Sequence, residues 1–291
     1  MKYFITGGSG LLGERLAAVS NDNDELTLVH NSNPKENTVK CDVTNEKEVF
    51  ESVERENPDV LIHCAAMTNV DLCEDEVELA YKINGDATGY LAKAAEKIGA
   101  KIIYVSTDFV FDGARGYYKE DETVNPEGIY AKSKYEGEVQ LQQYSDNWAI
   151  ARVSVLYGWH SARPNFTSWV VNELRHKREI NIVTDQINSP TLADNAAEAI
   201  FEIAKQDKKG IFHTAGNDAI NRFDFTRKIA DAFDLDDTLI NPTTSEIFVQ
   251  KAPRPRDSSL NVEKVERELG MKMETCTESL RRMADMEKDL Y

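Results

Sequence analysis

The sequence predicts an α/β fold, a doubly wound parallel sheet with a smaller C-terminal α/β cap. Three observations predict it. Short β-rich runs alternate with helical stretches from Lys2 to Val153. The inner runs Val60-Leu61-Ile62 and Ile102-Ile103-Tyr104-Val105 are apolar without a break, as strands covered on both faces must be. A glycine-rich turn, Thr6-Gly7-Gly8-Ser9-Gly10-Leu11-Leu12-Gly13, joins the first strand to the first helix.

Taken in order, the pattern predicts a strand over Lys2–Thr6, a helix over Leu11–Ser20 and a strand over Glu25–Val29. A short strand at Thr38–Cys41 and a helix at Glu46–Glu56 follow, then a buried strand at Val60–Cys64. Val77–Ile98 reads as one long helix, Lys101–Ser106 as a strand, Ile129–Tyr144 as a helix and Trp148–Val153 as a strand. Beyond about residue 155 the rhythm loosens. Helices are expected at Phe166–Arg175, Ala193–Ala204, Arg222–Phe233, Val262–Leu269 and Thr277–Met286, with strands at Ile180–Val183 and Gly210–His213. We therefore expect a dinucleotide-type core over 1–155 and a region over 156–291 that is mainly a substrate cap. No Gly-, Ser- or Pro-rich linker divides them, so they should pack as one body.

The 291 residues can bury a large core without staples. Lys and Arg number 34 against 51 Asp and Glu, a net charge of −17. That balance argues against nucleic acid or an anionic membrane surface as partner. No apolar run approaches the roughly 18 residues of a membrane span. Gly7 and Gly8 stop the first apolar run too early for a signal peptide, so a cytoplasmic location is expected. Cys41, Cys64, Cys73 and Cys276 show neither CxxC pairing nor zinc-like spacing, and are expected to be reduced thiols; no metal site is predicted.

The glycine turn carries the first chemistry. Gly7 can make the tight turn, Gly10 can let a pyrophosphate approach the backbone, and Gly13 can let the helix pack on the strand. Phosphates would then meet free N–H groups at the helix start, those of Ser9, Leu11 and Leu12 among them. This is a dinucleotide signature of Rossmann type in its expected strand–helix context. The second strand ends in Val29-His30-Asn31-Ser32-Asn33, without the usual carboxylate for a ribose 2′-hydroxyl. Asn31, Ser32 and Lys35 are the candidates at that end, and Lys35 could meet a 2′-phosphate. The expected cofactor is NADPH, with NADH left open.

Tyr130 and Lys134 stand four residues apart and share one helix face. A free phenol titrates near 10, and an ammonium one turn away should lower it. Tyr130 could then exchange a proton with a carbonyl oxygen as hydride moves at carbon. Thr107 lies just past the carboxyl end of a central strand, where open α/β sheets bind ligands. It could hydrogen-bond the same oxygen.

The GxxGxxG spacing resembles the extended branch of the short-chain dehydrogenase/reductase superfamily, whose Ser/Thr–Tyr–Lys triad maps onto Thr107, Tyr130 and Lys134. Four further stretches resemble the dTDP-4-dehydrorhamnose reductases. Ser106-Thr107-Asp108-Phe109-Val110-Phe111-Asp112-Gly113 is similar to STDYVFDG, and Ala65-Ala66-Met67-Thr68-Asn69-Val70-Asp71 to AAYTxVD. Asp185-Gln186-Ile187-Asn188-Ser189-Pro190-Thr191 is similar to DQxGxPT, and the segment from Arg254 to Asn261 to RPxxSxLD. The likeness runs from Met1 to about Met286.

The resemblance implies reduction of the C4 ketone of a nucleotide-linked 6-deoxy-4-ketohexose, in deoxysugar or polysaccharide assembly. It places Asp42, Val43, Cys64, Ala65, Ala66 and Asn84 on the cofactor side. It places Thr68, Val70, Thr107, Trp159, Asn165, Gln186 and Arg254 on the substrate side. For Trp159 a role in packing the cap, and for Arg254 a surface or interdomain ion pair, are equally open. Some members of the family pair through magnesium held by glutamates. Here Arg15 stands at one such position, so that metal-linked dimer is not supported, while a homodimer of another kind stays open.

Three rival readings remain. A dehydratase needs an acid/base after the catalytic Thr, and Asp108 is followed by Phe109, which cannot move that proton. A 4-epimerase would use the same triad. The non-catalytic regulatory subunit of methionine adenosyltransferase resembles the same reductases; such a protein would bind NADP and a partner enzyme without turnover.

Overall fold

A computed structural model describes residues 1–160 and 164–288. In chain order the first half forms β1 (Lys2–Thr6), α1 (Leu11–Val19), β2 (Glu25–His30), β3 (Thr38–Lys40), α2 (Glu46–Glu56) and β4 (Val60–His63). There follow α3 (Val70–Asp75), α4 (Val77–Tyr81), α5 (Ala87–Ile98), β5 (Lys101–Thr107), α6 (Gly128–Tyr144) and β6 (Trp148–Val153). The second half contributes β7 (Leu156–Tyr157), α7 (Phe166–Arg175), β8 (Ile180–Val183), β9 (Ile187–Asn188), β10 (Thr191–Leu192), α8 (Ala193–Lys205) and β11 (Gly210–His213). It ends with β12 (Ile220–Asn221), α9 (Arg222–Ala232), β13 (Ile240–Thr243), α10 (Glu263–Leu269) and α11 (Cys276–Lys288).

Seven strands make one parallel sheet in the order β11-β6-β5-β4-β1-β2-β3. Alternate residues of each inner strand enter different cores. Tyr3, Ile5, Val60, Ile62, Ile103 and Val105 pack with α1 and α8 on one face. Phe4, Leu61, Ile102 and Tyr104 pack with α2 and α5 on the other. That two-sided burial is why the strands read as continuous apolar runs. The chain order reverses between β4 and β1, which opens a crevice at the carboxyl ends of the strands.

The second half does not stay outside the core. α8 packs on α1, with Arg15 of α1 bonded to Asp194 of α8 at 2.6 Å, and β11 completes the sheet beside β6. Residue 155 therefore does not bound the sheet. The remaining elements form a third core around Tyr157, Val170, Ile180, Phe225 and Leu280.

Two expectations change. The long helix over Val77–Ile98 is α4 and α5 joined by a π-helical turn at Lys82–Asp86. The turn lies where α6 packs closely. A Cβ at Gly137 of α6 would fall 2.4 Å from the Asn84 carbonyl, and one at Gly85 would fall 2.9 Å from Glu136 Cγ. Helix α3, capped by Asn69 accepting from the Leu72 N–H at 3.1 Å, was not expected. Six residues are too few to show a helical period.

Behind the crevice lies a buried ion pair. Arg152 of β6 donates Nε and Nη2 to Glu138 of α6 at 2.9 and 2.7 Å, and Ser106 donates to the same carboxylate at 2.5 Å. Both charged side chains are almost wholly enclosed.

Candidate active site

A cleft of about 950 Å³ runs along the carboxyl end of the sheet. Its floor begins with the glycine turn. Gly7 has φ +68°, and a Cβ there would lie 2.8 Å from the Ala65 nitrogen. A Cβ on Gly13 would lie 2.4 Å from the Gly7 carbonyl oxygen, so only glycine lets α1 start this close to β1. At Gly10 a Cβ would meet one atom, Gly7 O at 3.2 Å; the space above it belongs to the cleft. No side chain caps α1, so its first N–H groups are left to a ligand. Substituting Gly13 by Val should therefore weaken cofactor binding at least tenfold and lower the melting temperature; fluorescence titration with NADPH and thermal unfolding check both effects.

Ser9, Leu11 and Leu12 line this end of the cleft, and Asn31, Ser32 and Lys35 line the part beyond β2. Lys35 forms an ion pair with Glu14 of α1, which holds its ammonium at the mouth. His160, which the sequence reading passed over, closes over the turn with its Nε2 3.2 Å from Ser9 O. Val43, Cys64, Ala65 and Ala66 form the wall. Asp42 does not reach the cleft: its Oδ1 accepts from the Thr44 N–H and hydroxyl at 2.9 and 2.8 Å, capping a turn. Asn84 is also off the cleft. It accepts from the Met67 N–H at 2.8 Å and donates to Ser133 Oγ at 3.0 Å, tying the loop after β4 to α6.

Thr107, Tyr130 and Lys134 are brought together on the cleft wall. The Thr107 hydroxyl donates to Asp108 Oδ1 at 3.0 Å and accepts from the Phe109 N–H at 3.2 Å. It also faces the Tyr130 phenol and favours its ionised form. Phe109 stands edge-on to Tyr130 with ring centroids 5.9 Å apart. Asp108 lies buried beneath, taking hydroxyls from Ser154 at 2.9 Å and Ser258 at 2.5 Å. Burial raises the pKa of its carboxyl, and the three hydroxyls offset part of the rise.

The Lys134 ammonium is bonded to the backbone of β5. Lys134 Nζ donates to Val105 O at 2.7 Å and lies 4.2 Å above the Tyr104 ring. Burial lowers Lys134 to about 7, with Glu138 and Cys64 opposing the shift. Burial also raises Tyr130, and the charge on Asp108 raises it further. Tyr130 therefore rests as the protonated phenol, the form that can give a proton.

The donor set suits a dinucleotide: free helix N–H groups for a diphosphate, polar groups beyond β2 for a ribose, and Lys134 at the reacting end. The chain from residue 1 to 288 matches the model of the RmlD substrate binding domain. It belongs to that family. It is 33% identical over 289 residues to a probable low-salt glycan biosynthesis reductase, Agl14, of Haloferax volcanii, with 96% of each chain covered. It superposes on the NADP complex of dTDP-4-dehydrorhamnose reductase from Bacillus anthracis with a TM-score of 0.90, at 31% identity, covering 98% and 99% of the two chains. It is also 31% identical to methionine adenosyltransferase 2 subunit beta of Xenopus laevis, covering 91% of this chain and 82% of that one.

Within this RmlD-family chain, the residues assigned to the substrate side divide. Thr68, Val70, Thr107 and Asn165 line the cleft. Asn165 spends its side chain locally: it donates to Gly158 O at 2.6 Å and caps α7 by accepting from the Ser168 N–H. Trp159 is a packing residue. Its Nε1 donates to Met283 O at 2.8 Å and its ring meets Phe233. Gln186 is buried behind the cleft, donating to Ser245 and Gln250 at 3.0 and 2.8 Å. Arg254 forms an ion pair, bonded to Asp71 Oδ1 and Ala252 O at 3.0 Å each. Two of these motifs thus supply scaffold in this state.

Arg222, at the start of α9, lines the cleft and was not singled out from sequence. A signal was there. A cation in the first turn of a helix opposes the macrodipole, so it needs another reason to stand there.

Proposed function

We propose that the chain is an NAD(P)H-dependent reductase of the C4 ketone of a nucleotide-linked 6-deoxy-4-ketohexose. The observation that carries this reading is the convergence of Thr107, Tyr130 and Lys134 on one cleft wall, beside a glycine turn whose helix has no side-chain cap. The family and the NADP complex of the Bacillus anthracis relative support it.

The bound dihydronicotinamide supplies a hydride. The chain does the rest. The N–H groups of α1 hold the diphosphate of the cofactor. Lys35 can hold a 2′-phosphate, in competition with Glu14, and this favours NADPH. The Thr107 hydroxyl and the Tyr130 phenol flank the ketone oxygen, and Tyr130 delivers its proton there as negative charge develops. Lys134 steadies the phenolate that remains. The product is the C4 alcohol, a precursor for polysaccharide or glycan assembly. The substrate is a small nucleotide sugar. No helix among the described residues is long and apolar enough to cross a membrane, and a cytoplasmic location fits the reading.

The test is steady-state absorbance of NADPH and NADH with dTDP-4-dehydro-6-deoxy-L-mannose. Rapid oxidation supports the reading. Tight NADP(H) binding with no oxidation of this or related keto sugars would favour a regulatory subunit instead.

Lys134 adds a pH prediction. Between about 7 and the ordinary lysine value of 10.5, the unfolded chain holds this proton and the folded chain does not. Its contribution to stability therefore rises with pH across that window and is lost as pH falls toward about 7. Cofactor phosphates and the developing phenolate favour the charged ammonium. Binding of NADP+ at about pH 8 should then take up protons, measured as a buffer-dependent calorimetric enthalpy. Lys134→Met should remove most of that dependence.

A further inference from the structure

Arg222 stands apart from the other cations of the cleft. Lys35 is paired with Glu14, and Lys134 is bonded to Val105 O. The Arg222 guanidinium carbon lies 4.8 Å from the centroid of the Phe166 ring, a contact that uses none of its N–H groups. No carboxylate among the described residues forms an ion pair with it. The charge of Asp108 acts on it, but the Asp108 oxygens are already taken by Thr107, Ser154 and Ser258. The body of the protein carries a charge of −17, so acidic partners are plentiful, yet this guanidinium faces the cleft without one. Arg254, the arginine expected on the substrate side, is held by Asp71.

We propose that Arg222 anchors the diphosphate of the nucleotide-linked substrate, through a two-pronged contact of its guanidinium with the phosphate oxygens. A planar fork of donors matches an oxyanion in this way, and the Phe166 ring packs against the guanidinium before the ligand arrives. Arg222 is a binding and positioning residue: it sets where the sugar ends and so which carbon meets Tyr130. The inference rests on the nucleotide-sugar reading. A sugar carboxylate shares the chemistry of an oxyanion and is separated from a diphosphate by the test.

The test is calorimetric titration of the NADP+-loaded protein with dTDP, UDP and glucuronate, in wild type, Arg222→Met and Arg222→Lys. The expected result is a roughly 10- to 100-fold loss of nucleoside diphosphate affinity in Arg222→Met, a smaller loss in Arg222→Lys, and unchanged NADP+ affinity. Unchanged dTDP and UDP affinity in both variants overturns the proposal, as does an equal fall in NADP+ affinity. Wild type that binds glucuronate but neither nucleotide, with glucuronate lost in Arg222→Met, overturns the diphosphate assignment in favour of a carboxylate. Thermal unfolding identifies a misfolded variant, in which case Arg222→Lys decides. The reductase reading is judged separately by NADPH oxidation. Selective loss of dTDP binding in Arg222→Met, in a protein that never oxidises NADPH, would sink that reading and leave the anchor standing.

Discussion

Tyr130→Phe should lower kcat by about 10²- to 10⁴-fold and leave NADPH affinity close to wild type. The phenol is the acidic proton at the ketone position, and burial keeps it protonated. Thr107 offers only an alkyl hydroxyl, a far weaker acid than a phenol, and cannot replace it. The substitution removes one oxygen and leaves the ring against Phe109, so the fold should be unaffected. Stopped-flow and steady-state NADPH oxidation measure the first effect, and fluorescence titration the second. Near-full turnover in the variant would remove Tyr130 from the chemistry.

Arg152→Met should destabilise the protein by about 3–5 kcal/mol. The change leaves the Glu138 carboxylate buried with Ser106 as its remaining donor. Its burial is costly without the bidentate guanidinium. The double variant Arg152→Met with Glu138→Gln should recover a large part of the loss, because no bare charge remains. Urea unfolding of the three proteins measures it. A loss below about 1 kcal/mol in the single variant would mean that water reaches Glu138 or that the carboxyl takes up a proton. Glu138 also follows Lys134 by one helical turn and favours its charged form. The pair thus links the sheet to the active-site lysine.

Much of the core was readable because its rules are local. The turn from Gly7 to Gly13 needs glycine for reasons of close approach, and these leave a fixed spacing in the sequence. Tyr130 and Lys134 share a helix face by periodicity alone. What was hidden depends on contacts distant in sequence. The π turn at Asn84 packs on α6, which lies some fifty residues on, and no local pattern announces it. Asp42, Trp159, Gln186 and Arg254 carry the right chemistry, but Thr44, Met283, Ser245 and Asp71 capture them. A motif shows that a residue type is needed, not whether it faces ligand or scaffold. Arg222 shows the converse. It lies in no motif, and only the fold reveals that its guanidinium meets the cleft unpaired.

The measurement that tests the central claim most directly is isotope transfer. Wild-type protein is given NADPH deuterated at the transferring position of the nicotinamide together with dTDP-4-dehydro-6-deoxy-L-mannose, and the product is read by NMR. The account predicts one deuterium at C4 of the sugar, in a single configuration, and none elsewhere. Deuterium at another carbon, or cofactor that binds and never gives up its label, would contradict it.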